Sequence, residues 1–441
     1  MASTFFGLTI AYSGLQAANT SLTITGHNVS NINTKGYTKQ QAGTQAADAL
    51  RTHTTYGAIG SGVVVTEISQ IRDSYYDVKY RNNMANYGQY SVKESYMGQI
   101  EDYLDEFTLN GYSQEYKNFF SAVNQLTITP GDTSAKNQLI NNAKSLADYF
   151  NTLTTNLRNV QADANNEIKD AVQQINSYAK NIAALNRQIN QIEANYGNAN
   201  DLRDKRNAMI DELSEIVNLE TSEEDMGNNV SNFSVRINGQ TLVSSYSYNT
   251  LETVARTDKK NYSDAEGLYD VQWNSGQKFD MYSTSLSGHL KGLIDIRDGN
   301  NGEHENIETD DDGNNVTDSD GNLVLTTAPA ADKTVSYKGV PYYQAQLNEF
   351  AKIFSDAVNK IMKSGYTSDG SSKGISLFVT QPNTTVMSAG NITVNPELLK
   401  NADLLAIKKE QNDGESDAKI MEELNKLQSE KIFAGGTGSD F

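Results

Sequence analysis

The first apolar pattern in the chain is a heptad repeat. Residues 3–26 have the character of a helix in which Leu8, Leu15 and Leu22 recur every seven positions, with alanines between them. This is the a/d spacing of a coiled-coil seam with small residues at one of the two positions. The remaining faces are mostly Ser, Thr, Gln and Asn, so such a helix is marginal alone in water and is expected to need a partner helix.

The longest apolar pattern predicts one very long helix. Apolar residues step by alternating fours and threes, and three successive fours at Val160–Val172 form a stutter that locally unwinds a coiled coil. No Pro or Gly interrupts residues 132–196. About 60 helical residues would span roughly 90 Å, which favours a rod over a globular core helix. The pattern consists of Leu139, Ala143, Leu146, Phe150, Leu153, Leu157, Val160, Ala164, Ile168, Val172, Ile175, Ala179, Ile182, Leu185, Ile189 and Ile192.

Shorter helices are predicted on both sides of this segment. Asp73 and Asp132 are expected N-caps, because a short acidic side chain can accept hydrogen bonds from the first free backbone amides. The charged residues at 201–206 are interpreted as a solvated first helical turn with i,i+4 pairing. The predicted helices cover 73–107, 113–126, 202–219, 286–296, 344–362 and 416–432.

Two regions have β character. Residues 41–72 combine a Gly-rich turn with a β-branched run, and residues 221–285 alternate with a period of two around Asn238-Gly239, a strong hairpin signal. Trp273 is the expected core anchor of the second region. Residues 299–339 are acidic, and their Asp-Gly repeats raise the hypothesis of calcium loops. The twelfth position lacks the required Glu, so two Asp-Gly turns in a surface hairpin or flexible insertion are the preferred interpretation.

Composition excludes several classes of function. The chain has 441 residues, a formal net charge of −19 and no cysteine. Disulfides, thiol catalysis and cysteine metal sites are therefore absent, and an acidic surface disfavours nucleic acids and anionic membranes. No HExxH, P-loop or GxSxG pattern occurs, the four histidines are far apart in sequence, and neither a transmembrane helix nor a cleavable secretory signal is expected. No cofactor, metal or catalytic site is predicted.

The segment Asn28–Gln40 is almost entirely polar and follows the first helix directly. Asn31, Asn33 and Gly36 are typical of a sharp helix exit, because such residues satisfy or free the backbone outside a helix. Tyr37 adds a large amphipathic ring that is expected to pack on a surface. The segment is interpreted as a shaped connector, and an ordinary helix-ending loop is the alternative.

These segments together resemble the family of bacterial flagellar hook-associated protein 1, a hook–filament junction protein. The Tyr-Thr-Lys-Gln ending of the connector is similar to that of the junction members, although the first segments alone are shared across flagellar axial proteins. Lys35 stands where the family usually has Pro. The matching segments are Leu15–Asn19, Asn28–Gln40, Gly60–Val65, Leu202–Arg206, Leu213–Val217 and Gly288–Asp298.

The resemblance implies a multidomain, mainly α protein of the flagellar axial type with an inserted β domain. The expected parts are an inner-tube helix and connector at 1–40, a long-helix coiled-coil rod domain at 41–220, a small β-rich outer domain at 221–340 with the acidic insertion at 299–339, and return helices at 341–441. The family's C-terminal helical region is not recognisable, so a fragment or truncated chain is expected.

The resemblance also implies a structural, non-catalytic role in joining the hook to the filament. Expected partners are further copies of the chain in a ring, the hook protein, the second junction protein and an export chaperone, after type III export to the cell exterior. Nucleic acid and membrane are not expected partners. The alternative is a secreted coiled-coil surface protein or adhesin that binds through its β domain. The expected assembly residues are Leu8, Leu15, Leu22, Asn28, Asn31, Asn33, Thr34, Gly36 and Tyr37.

Overall fold

The structure is a computed structural model that describes residues 5–51, 57–104, 111–330, 333–414, 416–433 and 436–438. The chain folds into two compact units. The first consists of Met1–Ser91, Lys169–Val254 and Val271–Lys291, and the second consists of Val92–Ile168, Ala255–Asp270 and Gly292–Phe441. Both units are discontinuous in sequence, because the chain passes repeatedly from one to the other.

Helices make up about half of the structure. In the described residues they are α1 (Phe6–Ser30), α2 (Ser74–Leu104), α3 (Tyr112–Ile128), α4 (Thr133–Glu193), α5 (Asn200–Ile216), α6 (His289–Asp298), α7 (Val340–Ser364), α8 (Pro396–Lys400) and α9 (Lys419–Leu427), with a 3₁₀ turn at Ala402–Leu404.

The strands form small antiparallel sheets. The largest sheet has four strands in the order β5-β6-β7-β8, and β1 pairs with β4, β2 with β3, β11 with β12, β13 with β16 and β14 with β15. The strands are β1 (Gln40–Ala46), β2 (Leu50–Arg51), β3 (Ala58–Ile59), β4 (Val63–Gln70), β5 (Glu220–Asp225), β6 (Ser231–Ile237), β7 (Gln240–Ser244), β8 (Ser247–Tyr248), β9 (Leu251–Ala255), β10 (Tyr269–Trp273), β11 (Glu303–Ile307), β12 (Leu325–Pro329), β13 (Tyr366–Thr367), β14 (Phe378–Thr380), β15 (Ile392–Val394) and β16 (Ala406–Lys408).

The predicted caps are confirmed, and several predicted helix ends need correction. Asp73 and Asp132 accept hydrogen bonds from the backbone amides two residues further on, at 2.9 and 2.8 Å. Helix α7 begins earlier than predicted and includes Pro341 in its first turn, where a missing N–H costs nothing. Helix α6 begins later than predicted, since Gly288 has a φ of +104° that is incompatible with a helix. The predicted end of α2 near residue 107 lies outside the described residues.

Helix α4 runs for 61 residues and confirms the long uninterrupted helix. Its predicted apolar positions are buried, apart from Leu185, which is half-buried, and Ile192, which is exposed. The polar residues Asn186 and Asn190 are buried on the same helix, which the heptad pattern did not predict. Their amides donate hydrogen bonds to backbone carbonyls of Ser245 and Ser231, at 2.9 and 2.7 Å.

The β predictions for residues 221–285 hold at their central features. Asn238 and Gly239 form the turn between β6 and β7 with φ of +50° and +77°, the conformation that an Asn-Gly hairpin turn requires. Trp273 is buried against Phe279, with ring centroids 6.2 Å apart. The coiled-coil rod, the outer β domain and the three predicted domain boundaries remain predictions.

The second unit has an aromatic core. Phe350 stacks on Phe433 at 4.7 Å and on Phe354 at 5.7 Å, and Phe354 also contacts Phe119 and Phe378. These rings join α3, α7 and β14 to the C-terminal part of the described chain. Aromatic side chains bury large apolar areas and favour such tilted and offset contacts.

The acidic segment forms the hairpin of β11 and β12 with two Asp-Gly turns between the strands. The Asp310 carboxylate accepts hydrogen bonds from the Asp312 and Asn314 amides, and Asp318 repeats this pattern eight residues later. This agrees with the hairpin interpretation, since an Asx turn needs a carboxylate acceptor and no metal.

Candidate functional site

The connector leaves α1 through a set of hydrogen bonds centred on Asn28. Asn28 lies in the last turn of α1, which continues to Ser30 rather than ending at residue 26, so the irregular connector begins only at Asn31. The Asn28 side chain accepts a hydrogen bond from the Gln40 amide and donates one to the Gln40 carbonyl, both at 2.9 Å. One carboxamide therefore pairs with one residue of backbone and fixes the start of β1 against the end of α1.

Tyr37 completes this arrangement. Its hydroxyl donates to Asn28 Oδ1 at 2.8 Å and lies 2.9 Å from His27 Nδ1, while the His27 and Tyr37 rings meet edge to face at 5.5 Å. The single hydroxyl proton is committed to Asn28, so His27 Nδ1 must be the donor in the second bond. Burial, followed by the charges of Asp201 and Asp204, raises the pKa of Tyr37 above its ordinary value.

Gly36 is the one connector position where a side chain is excluded by geometry. Its φ is +80°, in the left-handed region that only glycine adopts at little cost. A Cβ atom at this position would lie 2.9 Å from the Cβ atom of Ala208 in α5. The connector backbone therefore rests directly on α5.

Helix α5 supplies the other half of the site, and sequence reasoning missed its role. Asp204 accepts a hydrogen bond from the Thr38 amide at 3.0 Å, and Asp201 accepts one from Gln40 Nε2 at 3.1 Å. Lys35 pairs with Glu212 at 2.9 Å, and because the two side chains are 82% and 43% exposed, such a pair contributes little to stability.

The interpretation of residues 201–206 as a solvated helical turn is wrong. Asp204 and Arg206 are buried. Arg206 donates to Asn186 Oδ1 at 3.1 Å and pairs with Glu223 at 3.2 Å, and its guanidinium lies 3.8 Å above the Phe233 ring. Tertiary partners on α4 and the β5–β6 hairpin take the place of water. The high density of charged residues at 201–206 was visible in the sequence. Whether those side chains face water or a neighbouring element depends on the tertiary structure.

An open groove of about 440 Å³ lies between the connector and α5. Its walls carry both signs of charge, because Asp201, Asp204 and Glu212 line it together with Lys35 and Lys205. The groove can hold backbone and hydrogen-bonding groups in place. Its lining consists of His27, Asn31, Thr34, Lys35, Gly36, Tyr37, Asp201, Asp204, Lys205, Ala208, Met209 and Glu212.

The remaining predicted residues fall into two groups. Asn31 and Thr34 lie in the connector, where the Thr34 hydroxyl donates to Asn31 Oδ1 at 3.2 Å, and Asn33 is exposed beside them. Leu8, Leu15 and Leu22 lie along α1, away from the connector, with 66%, 67% and 70% of each residue exposed. Ala17 and Ile24, on another side of α1, are buried.

Metal-ligand clusters and membrane-spanning helices also bear on the chemistry open to the described residues. Among the described residues, no group of three or more His, Asp or Glu side chains is placed to hold a metal ion. Within the same part of the chain, no helix is both long enough and apolar enough to cross a membrane.

Comparison with known proteins identifies the family. Residues 97–378 match the model of the flagellar hook-associated protein FlgK helical domain, which is well over half of the chain. The chain belongs to this family. FlgK proteins are structural components of the hook–filament junction of the bacterial flagellum and are not an enzyme family. The resemblance predicted from the sequence is confirmed, and the adhesin alternative is not supported.

Individual FlgK proteins are similar to this chain in sequence, in agreement with the family match. The chain is 27% identical over 390 residues to flagellar hook-associated protein 1 of Bacillus subtilis, covering 85% of this chain and 70% of that protein. It is 33% identical over 219 residues to the Salmonella typhimurium protein, covering 49% and 39% of the two chains. The flagellar hook junction protein FlgK from Burkholderia pseudomallei shares the fold, with a TM-score of 0.50, 23% identity and coverage of 68% and 46%. The chain thus spans less than half the length of several relatives.

Proposed function

We propose that this protein is a non-catalytic subunit of the extracellular hook–filament junction and that the filament cannot attach without it. It is exported by the flagellar type III route with a chaperone, and it assembles as a ring with further copies of itself, between the hook protein and the second junction protein. Family membership supports the flagellar role of the chain. Its export, its assembly in a ring and its position between the two partners are parts of the proposal.

The observation that supports the proposal is that helix α1 is uncharged and exposes its leucines. Its 25 residues include no Asp, Glu, Lys or Arg, and its leucines point into solvent. An uncharged helix with a row of exposed leucines is marginally stable alone in water, so we expect a partner to cover it during assembly. The exposed Leu8, Leu15 and Leu22 fit a seam with a neighbouring helix.

The connector determines where this helix is presented. Asn28, Gly36 and Tyr37 tie the end of α1 to α5, which is part of a well-packed unit. A subunit whose α1 changed direction would no longer align its seam with its neighbours. Asn31, Asn33 and Thr34 are proposed to shape the exposed edge of the same connector.

The test is complementation of a strain that lacks this gene. The double variant Gly36→Val, Tyr37→Ala should give hooks of normal length without filaments, because the strained connector no longer docks on Ala208. Gly131→Ala is the matched control, since a Cβ atom there meets nothing within 4 Å. Electron microscopy of the cells counts hooks and filaments, and normal filaments in the double variant would contradict the proposal.

A further inference from the structure

One face of α2 carries an unusual row of tyrosines. Tyr76, Tyr80, Tyr87 and Tyr90 are spaced by four, seven and three residues, so they fall within an arc of about 80° on a helix. They are 68%, 51%, 61% and 68% exposed. We call these four residues the tyrosine stripe.

The fold holds the stripe toward solvent. Arg81, Ala85 and Gly88 are buried on the opposite side of α2, where the helix packs closely. A Cβ atom on Gly88 would lie 2.2 Å from the Glu215 carbonyl oxygen, so α2 cannot rotate to bury its tyrosines instead. Within this unit the stripe is the outward face of a firmly seated helix.

The stripe is also free of charge in a highly charged protein. Between Tyr76 and Tyr90, Asn83 is the other residue within this arc, and the nearest exposed charges are Lys79, about 20° outside it, and Glu94, one turn beyond its end. An ordinary solvated helix face carries Lys and Glu. Exposed tyrosine without charge is the composition of the central part of a protein interface.

We propose that the tyrosine stripe is a lateral contact surface for a second copy of this chain. The inference rests on the proposed assembly of copies and adds to it a specific face. Charge is the argument for the occupant. Two chains of net charge −19 repel each other, so a face without charge is where two copies can meet at the lowest electrostatic cost. A binding surface for a basic partner would instead carry exposed acidic side chains.

The area of the tyrosine stripe is too small for a stable isolated dimer, which favours a contact made within a larger ring of copies. The exposed tyrosine surface is on the order of 500 Å², below the roughly 800 Å² per partner that stable pairs bury. Free chains therefore stay apart in solution. In a ring each copy makes the contact with its neighbours, and the many weak contacts add up.

The stripe also adjoins the connector. Lys35 pairs with Glu212, which raises the pKa of Lys35, and Tyr80 is near enough to Lys35 to contribute to the same shift. A neighbouring copy seated on the stripe would therefore lie beside the groove that positions α1. The same contact could set the distance between copies at the base of their inner helices.

Photo-crosslinking in assembled flagella tests this inference. The full chain with p-benzoylphenylalanine in place of Tyr87 is expressed in the strain lacking the gene, and flagella are isolated and irradiated. The expected product is a covalent pair of two copies of this chain, identified by mass spectrometry from the joined peptides. Tyr248 in β8, which is also exposed, is the matched control and should give at least tenfold less of this pair.

The outcomes separate the two proposals. If the unmodified chain fails to restore filaments, the proposed function fails. If filaments are restored and residue 87 is joined only to a protein of another sequence, or to none, the tyrosine stripe proposal alone is overturned. The same holds if residues 87 and 248 give equal amounts of the pair, because that result indicates random collision.

Discussion

At the scale of single residues, several asparagine side chains on helices form paired hydrogen bonds with the backbone of neighbouring strands. Asn28 pairs with both backbone groups of Gln40, and Asn176 does the same with Leu251, with both bonds at 2.8 Å. Asn359 repeats the arrangement with Phe378 in the second unit. A carboxamide has a donor and an acceptor side by side, so it can imitate a strand neighbour from the surface of a helix.

Replacing Asn28 by Asp tests this role. The new carboxylate oxygen would face the Gln40 carbonyl where the amide now donates, so a hydrogen bond becomes a repulsion costing about 1–3 kcal/mol locally. Amide hydrogen exchange in residues 31–40 should accelerate in Asn28→Asp. Asn33→Asp makes the same change in charge at an exposed connector position and should leave exchange as it is. Equal exchange in both variants would show that the Asn28 amide does not hold the connector.

At the scale of secondary-structure elements, periodicity predicted the helices well and tertiary partners poorly. The apolar steps of α4, the caps at Asp73 and Asp132 and the hairpin turn at Asn238 are local signals, and each is confirmed. The short strands between residues 366 and 408 were not predicted, because two or three residues carry no measurable period.

The candidate site was predictable only on one side. Polar and turn-forming residues identify the connector, whereas the contribution of α5 depends on contacts more than 160 residues away in sequence. Charged residues near a helix start have the same pattern whether they face water or a neighbouring element. Sequence reasoning therefore found the segment that docks and missed the surface on which it docks.

The buried charge of α5 gives an element-level prediction. Arg206→Ala should destabilise the first unit by about 2–4 kcal/mol, because Glu223 and Asn186 lose a fixed partner and Phe233 loses its cation. Burial lowers the pKa of Arg206 to about 10 despite the opposing charge of Glu223. Arg236→Ala on β6, where the arginine is exposed, is the control. Thermal unfolding measures both, and a similar small shift in each would argue against a structural role for Arg206.

At the scale of the whole molecule, excess negative charge is distributed unevenly. The chain has 55 acidic and 36 basic residues, yet α1 and the tyrosine stripe have none of either. Inside the second unit, burial alone would raise the pKa of Asp298, and Arg297 and Arg256 instead hold it far below its ordinary value. Charge is thus neutralised by pairing in the interior and is absent from the faces proposed to meet other subunits.

Asp356 on α7 is a half-buried acid that should make stability depend on pH, although the charges of Lys352 and Lys363 partly compensate its burial. Burial and the charges of Asp318 and Asp320 raise the pKa of Asp356 to about 6. A raised carboxyl pKa means that the folded state binds the proton more tightly, so this stability is present below about pH 4 and is lost as pH rises through 6. Asp356→Asn should therefore be more stable than the unchanged protein by about 1–2 kcal/mol at pH 8 and equal to it at pH 4.

Thermal unfolding at both pH values checks the prediction for Asp356. Asp311→Asn, which removes an exposed acid from the β11–β12 hairpin that carries Asp318 and Asp320, is the control for the change in net charge. A gain that is the same at pH 4 and pH 8, or that also appears in Asp311→Asn, would contradict the assignment.

The hydrogen bonds around Asn28 have a consequence for the surroundings in which the protein can work. The Asn28 carboxamide and the Gln40 backbone carry no charge, and the pKa of the Tyr37 hydroxyl is raised above its ordinary value. These three groups therefore keep the same protonation state across the neutral pH range. A swimming cell meets water of changing acidity and salinity, and the bonds of Asn28 respond to neither, whereas salt weakens the exposed ion pair of Lys35 and Glu212 beside them.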